Sequence, residues 1–191
     1  MAGQRHCEVQ TVDHGRISVV VVRQLTGLGS AEIAALSDIL IAVVGAGASV
    51  GFLPPLFRDT AEEYWRGALG PGVDLLVAEL DGRIVGTAQL QRALRPNASH
   101  RAEVAKVLVH PDSQRLGIGR RLMLAIAELA RADHRSLLVL DTRAGDPSSN
   151  LYRSLGYLEA GRIPDYARSA NGKLDATVFY YKCLDVPESS G

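Results

Sequence analysis

Cysteine is scarce in this 191-residue chain, which has only Cys7 and Cys183. Two widely separated thiols make no disulfide framework and fit a reducing cytoplasm, although the sequence leaves a bond between them open. An excess of charge of one sign is also missing. Lys and Arg number 21, Asp and Glu number 21, and the formal net charge is zero. Nothing electrostatic therefore points to nucleic acid or an anionic membrane as a partner. No apolar run reaches the roughly 18–20 residues that cross a bilayer. The longest, Ile39 to Val44, lies within a helical pattern. The first residues place His6, Glu8 and Asp13 in a polar stretch with no apolar segment of signal-peptide type, so the expected location is cytoplasmic. His6, His14, His100, His110 and His134 are scattered without metal-ligand spacing, so no metal is expected. No G-x-S-x-G elbow is present, which disfavours a serine hydrolase. There is no internal repeat and no low-complexity linker.

What is present fits one domain. The hydrophobic fraction of 47% supports one sizeable core. Residues 1–15 read as a loose N-terminal arm, 16–184 as the domain, and 185–191 as a flexible tail. Ile17 to Arg23 predicts a strand, and Ala31 to Val44 a helix with Ser30 as its N-cap. A glycine-rich loop follows, then a helix over Asp59 to Leu69. Asp74 to Leu80 and Arg83 to Gln91 flank an Asp81-Gly82 turn and predict a hairpin. Ser136 to Asp141 is nearly all apolar apart from its ends, as in a strand buried on both faces. Pro147 suits the first turn of a further helix ending at Gly156. Tyr157 to Ile163 and Ala176 to Leu184 predict the last two strands, with Pro164 to Lys173 a polar loop between them.

The most telling stretch runs from Arg101 to Met123. Val104 to Val109 is a β-branched run that breaks at His110-Pro111. The glycine loop Gln114-Arg115-Leu116-Gly117-Ile118-Gly119 follows, and an amphipathic helix starts at once. Unpaired N–H groups and the helix dipole at such a terminus suit a phosphate. Arg115, Arg120 and Arg121 add positive charge. The loop lacks the Lys-Ser ending of a nucleotide P-loop. It also lacks the longer glycine spacing and ribose-binding acid of a dinucleotide site.

This order of strand, V-x-P, Q-x-x-G-x-G and helix resembles the acetyl-CoA signature of the GNAT superfamily of N-acetyltransferases. The resemblance implies an α/β GNAT fold, a mixed and mostly antiparallel seven-stranded sheet with about four helices. Its fourth and fifth strands, here residues 101–109 and 136–142, would splay apart to admit acetyl-CoA. Three stretches are similar to the tabtoxin-resistance type of enzyme: Gly47 to Phe52, Arg101 to Val104, and Leu140 to Thr142 with Ala144-Gly145. The Gly156 to Tyr181 pattern also fits that type, which acetylates a small amino-acid-like antimetabolite.

On this resemblance Val107, Leu108, Val109, Gln114, Arg115, Leu116, Gly117, Ile118, Gly119, Arg120 and Asn150 are cofactor-binding candidates. Acyl transfer to an amine needs the amine neutral and the leaving thiolate protonated. Glu103 would be the general base, and Asp141 a second base or an ammonium anchor. The alternative for Glu103 is a solvated residue paired to Arg101 or Lys106. For Asp141 it is a carboxylate bonding backbone N–H groups. Period-2 alternation does not decide the direction of Glu103, because a bulge resets the faces. Tyr152, in Leu151-Tyr152-Arg153-Ser154-Leu155-Gly156-Tyr157, would be the general acid to the thiolate; the alternative is a core tyrosine. Gly145 replaces the asparagine usual at that point of the family pattern. Ser49, Phe52, Tyr64, Asp165 and Tyr166 are substrate-pocket candidates, as is Trp65, although Phe52 and Trp65 also suit a core. Arg101 and Arg143 are candidate contacts for a substrate carboxylate, with a solvated arginine as the favoured alternative.

The function expected is acetyl transfer in a ternary complex to a primary amine of a small molecule, with detoxification as its role. Protein or peptide acetylation and a non-catalytic acyl-CoA sensor are the rivals. A homodimer is a possible assembly.

Overall fold

The computed structural model describes residues 7–13 and 16–186. Its strands are β1 (Cys7–Asp13), β2 (Arg16–Leu25), β3 (Val73–Leu80), β4 (Arg83–Arg92), β5 (Arg101–Val109), β6 (Leu137–Arg143), β7 (Leu158–Arg168) and β8 (Leu174–Cys183). Its helices are α1 (Ser30–Gly45), α2 (Arg58–Arg66), α3 (Ile118–Ala132) and α4 (Ser148–Ser154). The strands form one sheet in the order β1-β2-β3-β4-β5-β6-β8-β7. All neighbours are antiparallel except β5 and β6. None of the described helices is long and apolar enough to cross a membrane.

The seven expected strands are β2 to β8. An eighth, β1, corrects the reading of a loose arm for Cys7–Asp13; the rest of that arm and the tail from residue 187 lie outside the described residues. The backbone of β1 pairs with β2 from Cys7↔Val22 to Asp13↔Arg16. Val9, Thr11 and Val12 favour extended backbone, but seven residues with polar flanks are a weak pattern until β2 offers a free edge. Cys7 and Cys183 then sit on β1 and β8, six positions apart in the sheet. At ~4.8 Å per strand this exceeds disulfide reach several-fold.

Side chains alternate across the sheet into two cores. On one face α3 lays down Leu122, Met123, Ile126 and Ala130 at helical spacing. They pack on Val20, Leu76, Ala88, Leu90, Val104, Leu138 and Leu140. On the other face α1 and α2 bury Leu36, Leu40, Val44 and Trp65 against Leu75, Val77 and Leu108. Helix α1 starts after Gly29, whose N–H donates to Glu32 Oε2 at 3.1 Å. Gly29, not Ser30, is thus its N-cap.

Two irregularities shape the site. Between Gln89↔Ala105 and Thr87↔Leu108, β5 spends three steps where β4 spends two. This bulge sits at Lys106, whose φ is +50°. It exchanges the faces: Ala102 and Val104 join the α3 core, whereas after it Leu108 joins the α1–α2 core. In β7, four steps from Ile163↔Thr177 to Ala167↔Asp175 face two in β8. Pro164 has no N–H for the ladder, and Asp165 has φ +51°. The first half of the expected loop Pro164 to Lys173, as far as Arg168, is therefore bulged strand, with the turn confined to the five residues before Leu174.

Candidate active site

The glycine loop forms as its residues dictate. After β5, Pro111–Ser113 makes one 3₁₀ turn. Arg115 and Gly117 then take left-handed backbone, with φ +65° and +73°. Gly117 is the N-cap of α3. The first intrahelical bond runs from Arg121 N–H to Gly117 C=O at 3.1 Å. The N–H groups of Ile118, Gly119 and Arg120 are left without intrahelical partners at the positive end of the dipole. A Cβ on Gly119 would come within 3.2 Å of Leu151 Cδ2, so α4 packs directly over the loop. Ile118 anchors the turn in the core, and half-buried Leu116 packs beside it. Gln114 Nε2 donates to Val109 C=O at 3.5 Å, and Arg120 Nη2 to Ser154 Oγ at 2.7 Å. Gln114 and Arg115 are exposed. This loop of N–H groups and guanidinium charge fits a pyrophosphate.

Beside the loop, β5 and β6 diverge. Their parallel ladder has three pairs, ending at Glu103↔Val139. From Val104 onward β5 has no partner on that side, so backbone groups along Val107, Leu108 and Val109 are free to meet a ligand entering the gap.

The α1–α2 face of this gap is polar. Glu103 lies opposite Val139 in register, and Asp141 lies two residues further along the same face of β6. Asp141 accepts a hydrogen bond from Thr177 Oγ1 at 3.0 Å. Partial desolvation of this exposed side chain, reinforced by the charge of Asp141, raises the pKa of Glu103 from its ordinary value. Arg101 and Lys106 oppose that shift. Gln91 Nε2 donates to Gln89 Oε1 at 2.9 Å, and Gln89 Nε2 reaches Tyr64 Oη at 3.3 Å. Burial raises the pKa of Tyr64. Lys106 Nζ donates to Val50 C=O at 2.9 Å, with the Phe52 and Tyr64 ring centroids 6.0 and 5.5 Å away. A cavity of about 230 Å³ opens between Gln91, Arg92, Arg101, Glu103 and Val139.

Tyr152 sits on α4, buried beside Tyr157 and Tyr180 with ring centroids 6.1 and 6.0 Å away. Burial pushes its hydroxyl pKa up to about 12, against a hydrogen bond to Ser148. Asn150, also on α4, opens onto a cavity of about 410 Å³ shared with Arg153, Arg162 and Tyr180.

The pocket candidates separate. Phe52 and Tyr64 meet edge to face at 5.3 Å beside Lys106. Trp65 is wholly buried, a core residue. Ser49 is half-buried in the loop after α1. Asp165 and Tyr166 occupy the β7 bulge, where Tyr166 meets Phe179 edge to face at 5.7 Å. Arg143 pairs with Asp146 at 2.7 Å and Ser169 at 3.2 Å, so it is neither the solvated arginine favoured from sequence nor an unpaired cation. Among the described residues no group of His, Cys, Asp and Glu could hold a metal ion.

Gln89, Gln91 and Thr177 were missed as site residues, and Lys106 was read only as a partner for Glu103. One signal was available: Thr87, Gln89 and Gln91 put polar side chains at period two in an otherwise apolar strand. On a central strand such a row marks a polar cleft.

The model of the acetyltransferase (GNAT) family matches residues 26–157. An uncharacterized N-acetyltransferase from the hisH-hisA intergenic region of Azospirillum brasilense is 36% identical over 65% of this chain and 76% of its own length. The L-amino acid N-acyltransferase MnaT of Escherichia coli K12 is 27% identical over 56% of this chain and 62% of its own length. The structure of yncA from Salmonella typhimurium, solved with its cofactor acetyl-CoA, superposes with a TM-score of 0.72 at 22% identity. That likeness covers 90% of this chain and 96% of the other.

Proposed function

We propose a function from one premise: the chain belongs to the GNAT acetyltransferase family. The family uses acetyl-CoA, and the reading is transfer of its acetyl group to the primary amine of a small amino-acid-like molecule, in one ternary complex. The observation that carries it is the pair Glu103 and Asp141 on one face of two diverging strands, next to a helix terminus suited to pyrophosphate.

Acetyl-CoA supplies the activated acetyl thioester. Gln114 to Arg120 hold its phosphates through backbone N–H groups and guanidinium charge. The freed backbone of Val107 to Val109 orients its arm, with Asn150 on the α4 side. Glu103 holds the acceptor's ammonium and takes its proton; its raised pKa makes it a better base than an ordinary carboxylate. Asp141, fixed by Thr177, shares the ammonium's charge. Tyr152 Oη keeps its proton to about pH 12 and is a donor throughout the working range. Phe52, Tyr64, Ser49, Asp165 and Tyr166 frame the acceptor. Bringing the amine to the acyl group in a fixed orientation supplies much of the acceleration.

The amino-acid acceptor named for MnaT supports this substrate class. The resemblance of Gly47–Phe52 and Leu140–Thr142 to the tabtoxin-resistance type supports a detoxifying role. Exposed Leu158 and Ile163 on β7, with Leu174 on β8, support a homodimer through that edge. The test is thiol release from acetyl-CoA over a panel of small amines, amino acids and peptides. Turnover of free amino acids or their analogues supports the reading. Turnover confined to peptides replaces it with protein acetylation, and tight cofactor binding without turnover replaces it with a sensor.

A further inference from the structure

We propose that the Lys106 ammonium is the anion anchor of the acceptor site, taking the carboxylate of a zwitterionic amine whose ammonium is held at Glu103. This rests on the acetyltransferase reading above and adds the residue that reads the acceptor's second group.

Lys106 is half-buried and carries three N–H donors. One goes to Val50 C=O at 2.9 Å. Among the described residues no carboxylate lies within ion-pair distance of it. Half-buried arginines elsewhere do have such partners: Arg23 with Glu79 at 2.7 Å, and Arg143 with Asp146 at 2.7 Å. Lys182 offers a closer control. It too lacks a carboxylate, but its Nζ donates to Leu155 C=O at 2.6 Å, at the end of α4. There the negative end of a helix dipole accounts for the cation. The acceptor of Lys106, Val50, belongs instead to the loop between α1 and α2.

The backbone is spent on aiming this side chain. A non-glycine residue at φ +50° is strained, and the bulge turns Lys106 toward the face that Glu103 occupies. The Phe52 and Tyr64 rings border the ammonium. Glu103 and Asp141 sense its charge without pairing with it. The three groups thus set an anionic subsite beside a cationic one, as an amine bearing a carboxylate requires. Burial pushes the Lys106 pKa down, as expected of a cation short of counter-charge; an incoming carboxylate would supply it.

A plain latch for the Val50 loop is the competing role. Two variants separate them. Lys106→Gln keeps a donor for Val50 C=O and removes the charge, and Lys106→Met removes both. Each is measured for acetyl-CoA binding and for kcat/KM on paired acceptors, an L-amino acid and its carboxamide. Dividing the variant's acid-to-amide ratio by the wild-type ratio cancels the different basicity of the two amines. Lys106→Gln is expected to lower kcat/KM for the acid roughly 10- to 100-fold, to leave the amide within about threefold, and to keep acetyl-CoA binding. An equal loss on acid and amide, which leaves the double ratio at one, overturns the anchor. If the wild type turns over no small amine, the function above fails and the anchor is judged by binding alone. N-acetyl amino acids and their amides are then compared by thermal shift with CoA present. Discrimination abolished by Lys106→Gln supports the anchor, and its absence in the wild type overturns it.

Discussion

The two faces of the sheet are made from the same strands and do different work. Under α3 and α4 the inward side chains are continuous and apolar from Val20 on β2 to Tyr180 on β8. Under α1 and α2 the apolar layer ends at Leu75, Val77 and Leu108. Further across, the same face carries Gln89, Gln91, Glu103, Asp141 and Thr177. A strand shows its two faces independently at period two, so one face can be filled for stability while the other holds costly polar groups. The contrast predicts that substitutions separate by face, one set acting on folding and the other on rate.

Glu103→Gln should have the largest effect. Glu103 is the proposed general base, and its loss is expected to lower kcat by about 10²–10⁴, read by thiol release, with acetyl-CoA affinity unchanged. Its effect on stability should run the other way. The folded pKa of Glu103 is raised, so the folded state binds the proton more tightly than the unfolded chain. Stability from this group is present below its unfolded pKa and is lost as pH rises through its folded pKa. The variant should therefore melt higher than wild type at pH 8, and the gain should vanish near pH 4. A lower melting temperature at pH 8 would mean that Glu103 is structural.

Ile126→Ala, on the opposite face, should cost about 2–5 kcal/mol of stability by leaving a cavity under α3. Well below its melting temperature kcat should match wild type. Tyr152→Phe tests the residue proposed to serve both purposes. It belongs to the α3 core and carries the hydroxyl proposed as the proton donor. We expect kcat to fall about 10- to 100-fold, with about 1 kcal/mol of stability lost along with the Ser148 hydrogen bond. An unchanged kcat would make Tyr152 purely a core residue. Gly117→Ala should be the mildest. A Cβ there meets open space, so the cost is the left-handed backbone alone, about 1 kcal/mol. Acetyl-CoA affinity measured by titration should fall severalfold as the loop relaxes.

Legibility in the sequence followed the range of the physics involved. The glycine loop was readable because strand, break, glycines and helix start are all local chemistry. The hairpin of β3 and β4 was readable for the same reason, through Asp81-Gly82. Glu103 was identified as a candidate, but its direction was not fixed by alternation; that depended on a bulge defined only once β4 pairs with β5. Lys106 was obscured for the same reason, since its role depends on Val50 and Phe52, more than fifty residues away. Arg143 looked free until Asp146 folded back onto it. β1 was missed because a marginal strand gains its identity from the edge it joins, and β7 was read short because Pro164 ordinarily ends a strand and here marks a bulge.

The extra residue in β5 is a phase slip. Removing Lys106 from the chain would bring two steps of β5 opposite two steps of β4, restoring simple alternation. Ala102 and Val104 would still face α3, and Leu108 would still face α1 and α2. Removing a residue further along on either side would instead transpose every side chain between there and the bulge. The strand thus tolerates a loss only at the doubled step Ala105-Lys106, and that step carries the ammonium. Chemistry at this site and the reading frame of the core are separable by a single codon.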